Sequence, residues 1–461
     1  MPLHDFVSDG RGGALMSVRP EYSGDAATAH LPRYRLPDRD MRPQAAYQIV
    51  HDELLLDTNA RLNLATFVTT WMEPEAEKLL DECMDKNLID KDQYAVTAEL
   101  ESRCVNILAD LWSAPDDTRP QGCSTVGSSE ACMLAGLAFK FRWRNRRGDD
   151  RARPNLVMGA NVQVVWEKFC RYWDVEPRKA KLAPGRTHLT ADTAVDLCDE
   201  NTIGVVTILG STFDGSYEPV EEIAGALDRL EVESGWDIPL HVDAATGGFI
   251  APFLDPGLEW DFRIPRVQSI NTSGHKWGHV YPGVGWVIWR DEGAVPDELV
   301  FDVDYLGGDL PTFTLNFSRP GGEVVAQYFN FLRLGREGYS RVQQVCRDNA
   351  EWLSAQIDDI AQFELVSDGG SGVPAFAFKL RDDVDEYSVH DVSYRLRVHG
   401  WQVPAYNFAE GLDDMEVLRI VVRNGFGRDL AERLVEHLHE AIDDLEAGRG
   451  RGEAKRGAFH H

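Results

Sequence analysis

Between residues 62 and about 340 the chain alternates two hydrophobic periods, and this alternation narrows the fold more than any other feature. Short apolar runs, partly β-branched and bounded by turn residues, recur as "NLVMG" (155–159), "GVVTIL" (204–209), "PLHVDA" (239–244), "VQSIN" (267–271) and "GVGWVIW" (283–289). Amphipathic stretches at helical spacing accompany them, as in "TAELESRCVNILADLWSA" and "EACMLAGLAFKFRWR". A strand covered by helices on both faces reads as a continuous apolar run. The succession therefore predicts an α/β fold, with βα units around a largely parallel sheet flanked by helices.

Different patterns flank this region. Residues 1–61 read as an arm rich in Gly, Pro and Arg, followed by a helix over "RPQAAYQIVHDELLLDTNA" (42–60). The large domain spans 62–346 and leads into a long helix near 321–358. Beyond it, "FELVSD", "VPAFAFKL", "DVSYRLRVHG", "EVLRIVVR" and "LAERLVEHLHEAIDDLEA" predict a small α+β domain over 347–461, ending in the Gly/Arg-rich tail "GRGRGEAKRGAFHH".

The net charge of −29 over 461 residues argues against nucleic acid or anionic membrane as a partner, since phosphates would be repelled. No long uncharged apolar run predicts a membrane span, and no basic-then-apolar leader predicts secretion. The seven cysteines form no C-x-x-C pair, a pattern that fits reduced thiols in the cytoplasm.

Lysine is scarce, with ten in the chain, yet Lys276 sits mid-domain in "SINTSGHKWGHVYPG" (269–283). Burial lowers an amine's pKa, and a neutral amine can attack an aldehyde. Asp243 ends the run "PLHVDA", where a carboxylate can pair with a ring nitrogen and keep it protonated. Gly127, Ser128 and Ser129 lead into a helix with Glu130 in its first turn, an arrangement suited to a monophosphate. Each feature also has an ordinary explanation: a salt-bridged lysine, a turn aspartate, a Ser-capped helix. His241-x-Asp243 has no third ligand at sensible spacing, so no metal is expected. Together the three pieces supply an imine-forming amine, a partner for a ring nitrogen and a phosphate cup.

At these residues the chain resembles pyridoxal-phosphate (PLP) enzymes of the aspartate aminotransferase fold, and among them the glutamate decarboxylases. The stretches that carry the likeness are "NLATFVTTWMEPEA", "KNLIDKDQY", "VGSSEACMLAG", "KFCRYWDVE", "HVDAATGGFIAPF", "SGHKWG" and "DVDYLGGDLPTFTLNFSRP". The resemblance runs from about residue 42 to 430. It implies a fold type I enzyme that converts L-glutamate to 4-aminobutanoate and carbon dioxide, with a proton consumed. Lys276 is then the Schiff-base lysine and Asp243 the partner of the ring nitrogen. Ser128 and Ser129 hold the phosphate. Gln163, Thr212, Ala245, Ser273 and His275 touch the cofactor. Gln163 departs from aromatic amino-acid decarboxylases, many of which have histidine there. Ser318 reaches the phosphate of a neighbouring subunit. Thr66, Phe67, Asn87 and Asp90 face the substrate, and Arg423 completes the site near a carboxylate.

The same likeness implies a homo-oligomer, at least a dimer and in bacterial relatives a hexamer. Calmodulin binding, found in plant relatives, is not expected, because "EAKRGAFHH" lacks a tryptophan and a lysine cluster. Phe459 and His461 match the spacing with which bacterial relatives close the active site near neutral pH, although His460 stands between them and nothing follows. Two alternatives stay open on sequence grounds. One is another PLP-dependent amino-acid decarboxylase or carbon–carbon lyase of this fold. The other is a catalytically idle scaffold.

Overall fold

Seven strands form the central sheet of the described residues: β1 (Gln121–Thr125), β2 (Asn155–Gly159), β3 (Glu176–Ala180), β4 (Thr202–Ile208), β5 (Leu240–Asp243), β6 (Val267–Thr272) and β7 (Gly285–Trp289). Their order is β1-β7-β6-β5-β4-β2-β3. Every neighbouring pair from β6 to β3 is parallel, and β7 runs antiparallel to both of its neighbours. The computed structural model describes residues 34–38, 40–147, 152–303 and 310–450. Most of the arm, the tail with His461 and part of "DVDYLGGDLP" lie outside the described residues.

The apolar runs become strands because both faces are covered. All residues of β2, β4, β5 and β7 are buried. The edge strand β3 carries "EPRKA", exposed at its start, and β1 is "QGCST". Neither polar stretch announces a strand in the sequence. The helix Ser128–Arg147 follows β1 and buries its apolar face, including Leu134, Leu137 and Phe139.

The described residues up to Leu62 and those from Asn63 onward form two compact units. In the first, the helix spans Pro43–Leu54, shorter than the sequence spacing suggests. Past it, Leu56 and Asp57 donate to Glu53 and Leu54 carbonyls in tight turns. The Asn59 side chain takes the Arg61 N–H, a local bond that competes with helix continuation.

The second unit continues into the long helix Gly322–Asp358, which bends at Gly335. It also holds a four-stranded antiparallel sheet of β10 (Phe363–Leu365), β11 (Ala375–Leu380), β12 (Ala405–Asn407) and β13 (Glu416–Val421), in the order β10-β11-β13-β12. Between the two sheets in sequence lies a short hairpin, β8 (Phe301–Val303) with β9 (Leu310–Thr312). "DVSYRLRVHG" forms the helix Val389–Val398, and the last apolar pattern forms the helix Arg428–Glu446. This is the expected α/β fold with a smaller C-terminal α+β part. Among the described residues, no helix is long and apolar enough to cross a membrane.

Candidate active site

The carboxyl ends of β4, β5 and β6 lie side by side: Ile208 pairs with Asp243, and Asp243 with Asn271. In open α/β sheets, ligands bind outside such ends. Lys276 arrives one turn after β6, where its N–H donates to the Ser273 carbonyl and its carbonyl accepts from Thr69 Oγ1 at 2.6 Å. Gly278 makes this turn possible, since a Cβ there would lie 2.5 Å from the Gly274 carbonyl oxygen.

Burial pushes the Lys276 amine down to about 8, while Asp243 and Cys132 pull it up and Arg419 pushes it further down. Its Nζ lies 5.3 Å from the centre of the Phe67 ring. Burial and then Lys276 lower His275 to about 4, so its ring is neutral at ordinary pH. The buried His275 Nδ1 has no protein partner among the described residues.

Asp243 accepts from the Trp166 indole at 2.9 Å, from the Asn271 amide at 3.1 Å and from the Ala245 N–H at 3.2 Å. Gln163 caps the helix Val164–Tyr172 by accepting the Val165 N–H at 2.6 Å. That cap fixes the helix start three residues ahead of Trp166.

The start of the helix Ser128–Arg147 is held tightly. A Cβ on Gly285 of β7 would lie 2.6 Å from the Ser128 nitrogen. Ser273 Oγ donates to Ser128 Oγ at 2.8 Å, which joins the helix start to the lysine-bearing turn. Glu130 accepts the N–H groups of Val126, Leu315 and Asn316.

The segment with Thr66 and Phe67 runs beside His275, whose carbonyl accepts the Thr69 N–H at 2.8 Å. Asn87 and Ser318 form a second group, with the Asn87 amide donating to Ser318 Oγ at 3.2 Å. Asp90 stays near Asn87 by donating its N–H to the Asn87 carbonyl at 3.1 Å, and its side chain accepts the Gln93 N–H. Arg319 fastens this group through Glu101 at 3.2 Å and the Ser124 carbonyl at 2.5 Å.

Residues 35–381 match the pyridoxal-dependent decarboxylase conserved domain. The chain belongs to the pyridoxal-dependent decarboxylase family. It is 51% identical to a glutamate decarboxylase of Aliivibrio fischeri, with 100% of each chain covered. A solved glutamate decarboxylase of Lactobacillus brevis is 45% identical, with a TM-score of 0.90 over 93% of this chain and 98% of that one. A sphingosine-1-phosphate lyase of Burkholderia pseudomallei, 24% identical, shares the fold with a TM-score of 0.76 over 92% of this chain and 96% of that one.

The donor set of this decarboxylase fits pyridoxal phosphate. The amine of Lys276 is poised near 8, Asp243 is an acceptor, Ser128 and Ser129 begin a helix, and the His275 Nδ1 is unsatisfied. Trp166, Cys132, Asn271 and Arg419 also belong to the site and escape a reading by sequence. Trp166 carries the most usable signal, because a buried indole N–H needs an acceptor.

Arg419 of β13 donates to the carbonyls of Thr212 and Ala65 and stands over Phe67. Arg423 gives hydrogens to Asn63 O, Thr66 O and Thr70 Oγ1. The cation that acts on the Lys276 amine is Arg419.

Away from this site, His399, His437 and Glu440 offer ligand atoms within 4.8 Å of one another. The two rings stack with centroids 4.0 Å apart, and the Trp401 indole donates to His437 Nδ1 at 2.8 Å. In the neutral ring that bond places the hydrogen on Nε2, where a metal needs a lone pair. The geometry describes a stacked pair.

Proposed function

We infer that this decarboxylase converts L-glutamate to 4-aminobutanoate and carbon dioxide, taking up one proton per turnover. The observation that carries the reading is an amine, an anion and a cation brought together: Lys276 lies within electrostatic reach of Asp243 and Arg419. Near-identity in length and 51% identity to the Aliivibrio fischeri glutamate decarboxylase support glutamate as substrate.

Pyridoxal phosphate, when bound, supplies an electron sink for the pair of electrons left by the departing carboxylate. Lys276 holds the cofactor and, poised near 8, can carry a proton at Nζ. Asp243 would accept a hydrogen bond from the ring nitrogen and favour positive charge there. Ser128, Ser129 and Ser273 hold the phosphate. Gln163, Thr212, Ala245 and His275 line the ring. Thr66, Phe67 and Arg419 would seat the substrate and orient its carboxylate.

Ser318 would reach the phosphate of a neighbouring subunit, with Asn87 bonded to it and Asp90 beside Asn87 on the substrate side, so the working form would be a homo-oligomer, at least a dimer. All seven cysteines are free, which suits the cytoplasm.

The test is carbon dioxide release from L-glutamate, L-aspartate and aromatic amino acids with PLP present. Glutamate should be strongly preferred. Faster turnover of another amino acid would replace the substrate. A wild-type protein with no visible absorption band after reconstitution, and none removed by borohydride or by Lys276→Ala, would remove the catalytic reading itself.

A further inference from the structure

Four groups converge on the Asp243 carboxylate, and one of them ends a longer chain. Asn271 Nδ2 and the Ala245 N–H reach Oδ1, the Trp166 indole reaches Oδ2, and the Cys132 thiol lies 3.6 Å from Oδ2. Because Asn271 directs its N–H at Asp243, its oxygen faces His241 Nε2, 2.7 Å away. An amide oxygen can only accept, so Nε2 carries the hydrogen. Nδ1 is then the acceptor for the Ser269 hydroxyl at 2.7 Å.

Strand register builds this chain. β5 and β6 pair His241 with Ser269 and Asp243 with Asn271, and residues two apart share a face. His241, Ser269 and Asn271 are 0% exposed and Asp243 is 5% exposed. Burial drives His241 down to about 4, so its ring stays neutral at ordinary pH. Turning the Asn271 amide over would set its oxygen against the carboxylate and its N–H against the N–H of Nε2. The direction is therefore fixed.

We propose that Ser269, His241 and Asn271 are positioning residues for decarboxylation, a one-way chain of donors that orients the Asp243 carboxylate and leaves it an acceptor for the ring nitrogen of the bound cofactor. The proposal rests on the role given to Asp243 above.

The experiment compares His241→Leu with His241→Gln. Leucine has similar bulk and no donor, whereas glutamine keeps an N–H within reach of the Asn271 oxygen. Three quantities are measured: the PLP dissociation constant of the apo protein, the visible band of the PLP-bound protein, and kcat and KM for glutamate. Circular dichroism and melting without PLP check the fold. His241→Leu should weaken PLP binding by about tenfold, alter the band and lower kcat with KM within about threefold, whereas His241→Gln should retain PLP affinity within about threefold. Equal behaviour of the two variants, or wild-type values for His241→Leu, overturns the chain.

If His241→Leu does not fold, Ser269→Ala decides, because it removes only the first hydrogen of the series. About threefold weaker PLP binding supports the proposal, and unchanged binding overturns it. A wild-type protein that binds no PLP would instead overturn the role of Asp243. A normal wild type beside an indifferent His241→Leu overturns the positioning chain alone.

Discussion

The Arg419 guanidinium stands 4.7 Å from the centre of the Phe67 ring. Lys276 approaches the same ring, so two cations share one aromatic wall. The buried Arg419 Nε has no protein partner among the described residues. Arg419→Gln should lower kcat/KM for glutamate about a hundredfold, the loss of about 2.7 kcal/mol from one charged contact. Arg423→Gln should lower the melting temperature and leave KM nearly unchanged. Steady-state kinetics beside thermal melts separate the two, and the opposite pattern would return the substrate role to Arg423.

Loading of the cofactor should depend on pH through Lys276. Only the neutral amine attacks an aldehyde, and this amine is poised near 8. The rate of PLP association with apo protein should rise about tenfold per pH unit below 8 and level off above it. Stopped-flow absorbance between pH 6 and 9 measures this, and a flat profile would contradict it.

Glu218 offers a separate pH signature. It is buried and accepts from the N–H groups of Leu189 and Ile208 and from the Asn161 amide. Burial outweighs these donors and pushes its carboxyl up to about 7 from an ordinary value of 4.5. The folded protein therefore keeps a proton that the unfolded chain releases above pH 4.5. The associated stability is full below that value and is lost as pH rises through 7, a change on the order of 3 kcal/mol. Apo protein should melt lower at pH 7.5 than at pH 5, and Glu218→Gln should flatten the difference. Equal declines in both proteins would place the effect elsewhere.

A shared site predicts rescue on mixing. Subunits with Lys276→Ala and subunits with both Asn87→Ala and Ser318→Ala should each be nearly inactive alone. Random exchange between them should restore about a quarter of wild-type activity, since half of the dimers are hybrids and each hybrid has one intact site. Activity after co-incubation is the readout, and no recovery would assign Asn87 and Ser318 to their own subunit.

The fold was legible wherever burial on two faces made a strand continuously apolar, as in β4 and β7. It was illegible where polar residues occupy strands for reasons set by neighbours. β1 is held in place by pairing along β7, and β3 hangs on the edge beside β2. Lys276, Asp243 and Ser128 stood out because each needs a special neighbourhood. Asn271 did not, because a polar residue in "VQSIN" gains meaning only when register sets it opposite Asp243. Arg419 and Arg423 look alike in "RIVVR". Only the end of β13 at Val421 separates an arginine inside the strand from one beyond it.

β13 is the last strand among the described residues, and the cation at Phe67 comes from it. A polypeptide emerging from the ribosome therefore completes the large sheet, with Asp243 and Lys276, long before Arg419 is made. Capture of the cofactor can precede competence toward the amino acid. A product cut short after the long helix would carry the lysine and its aspartate without this cation.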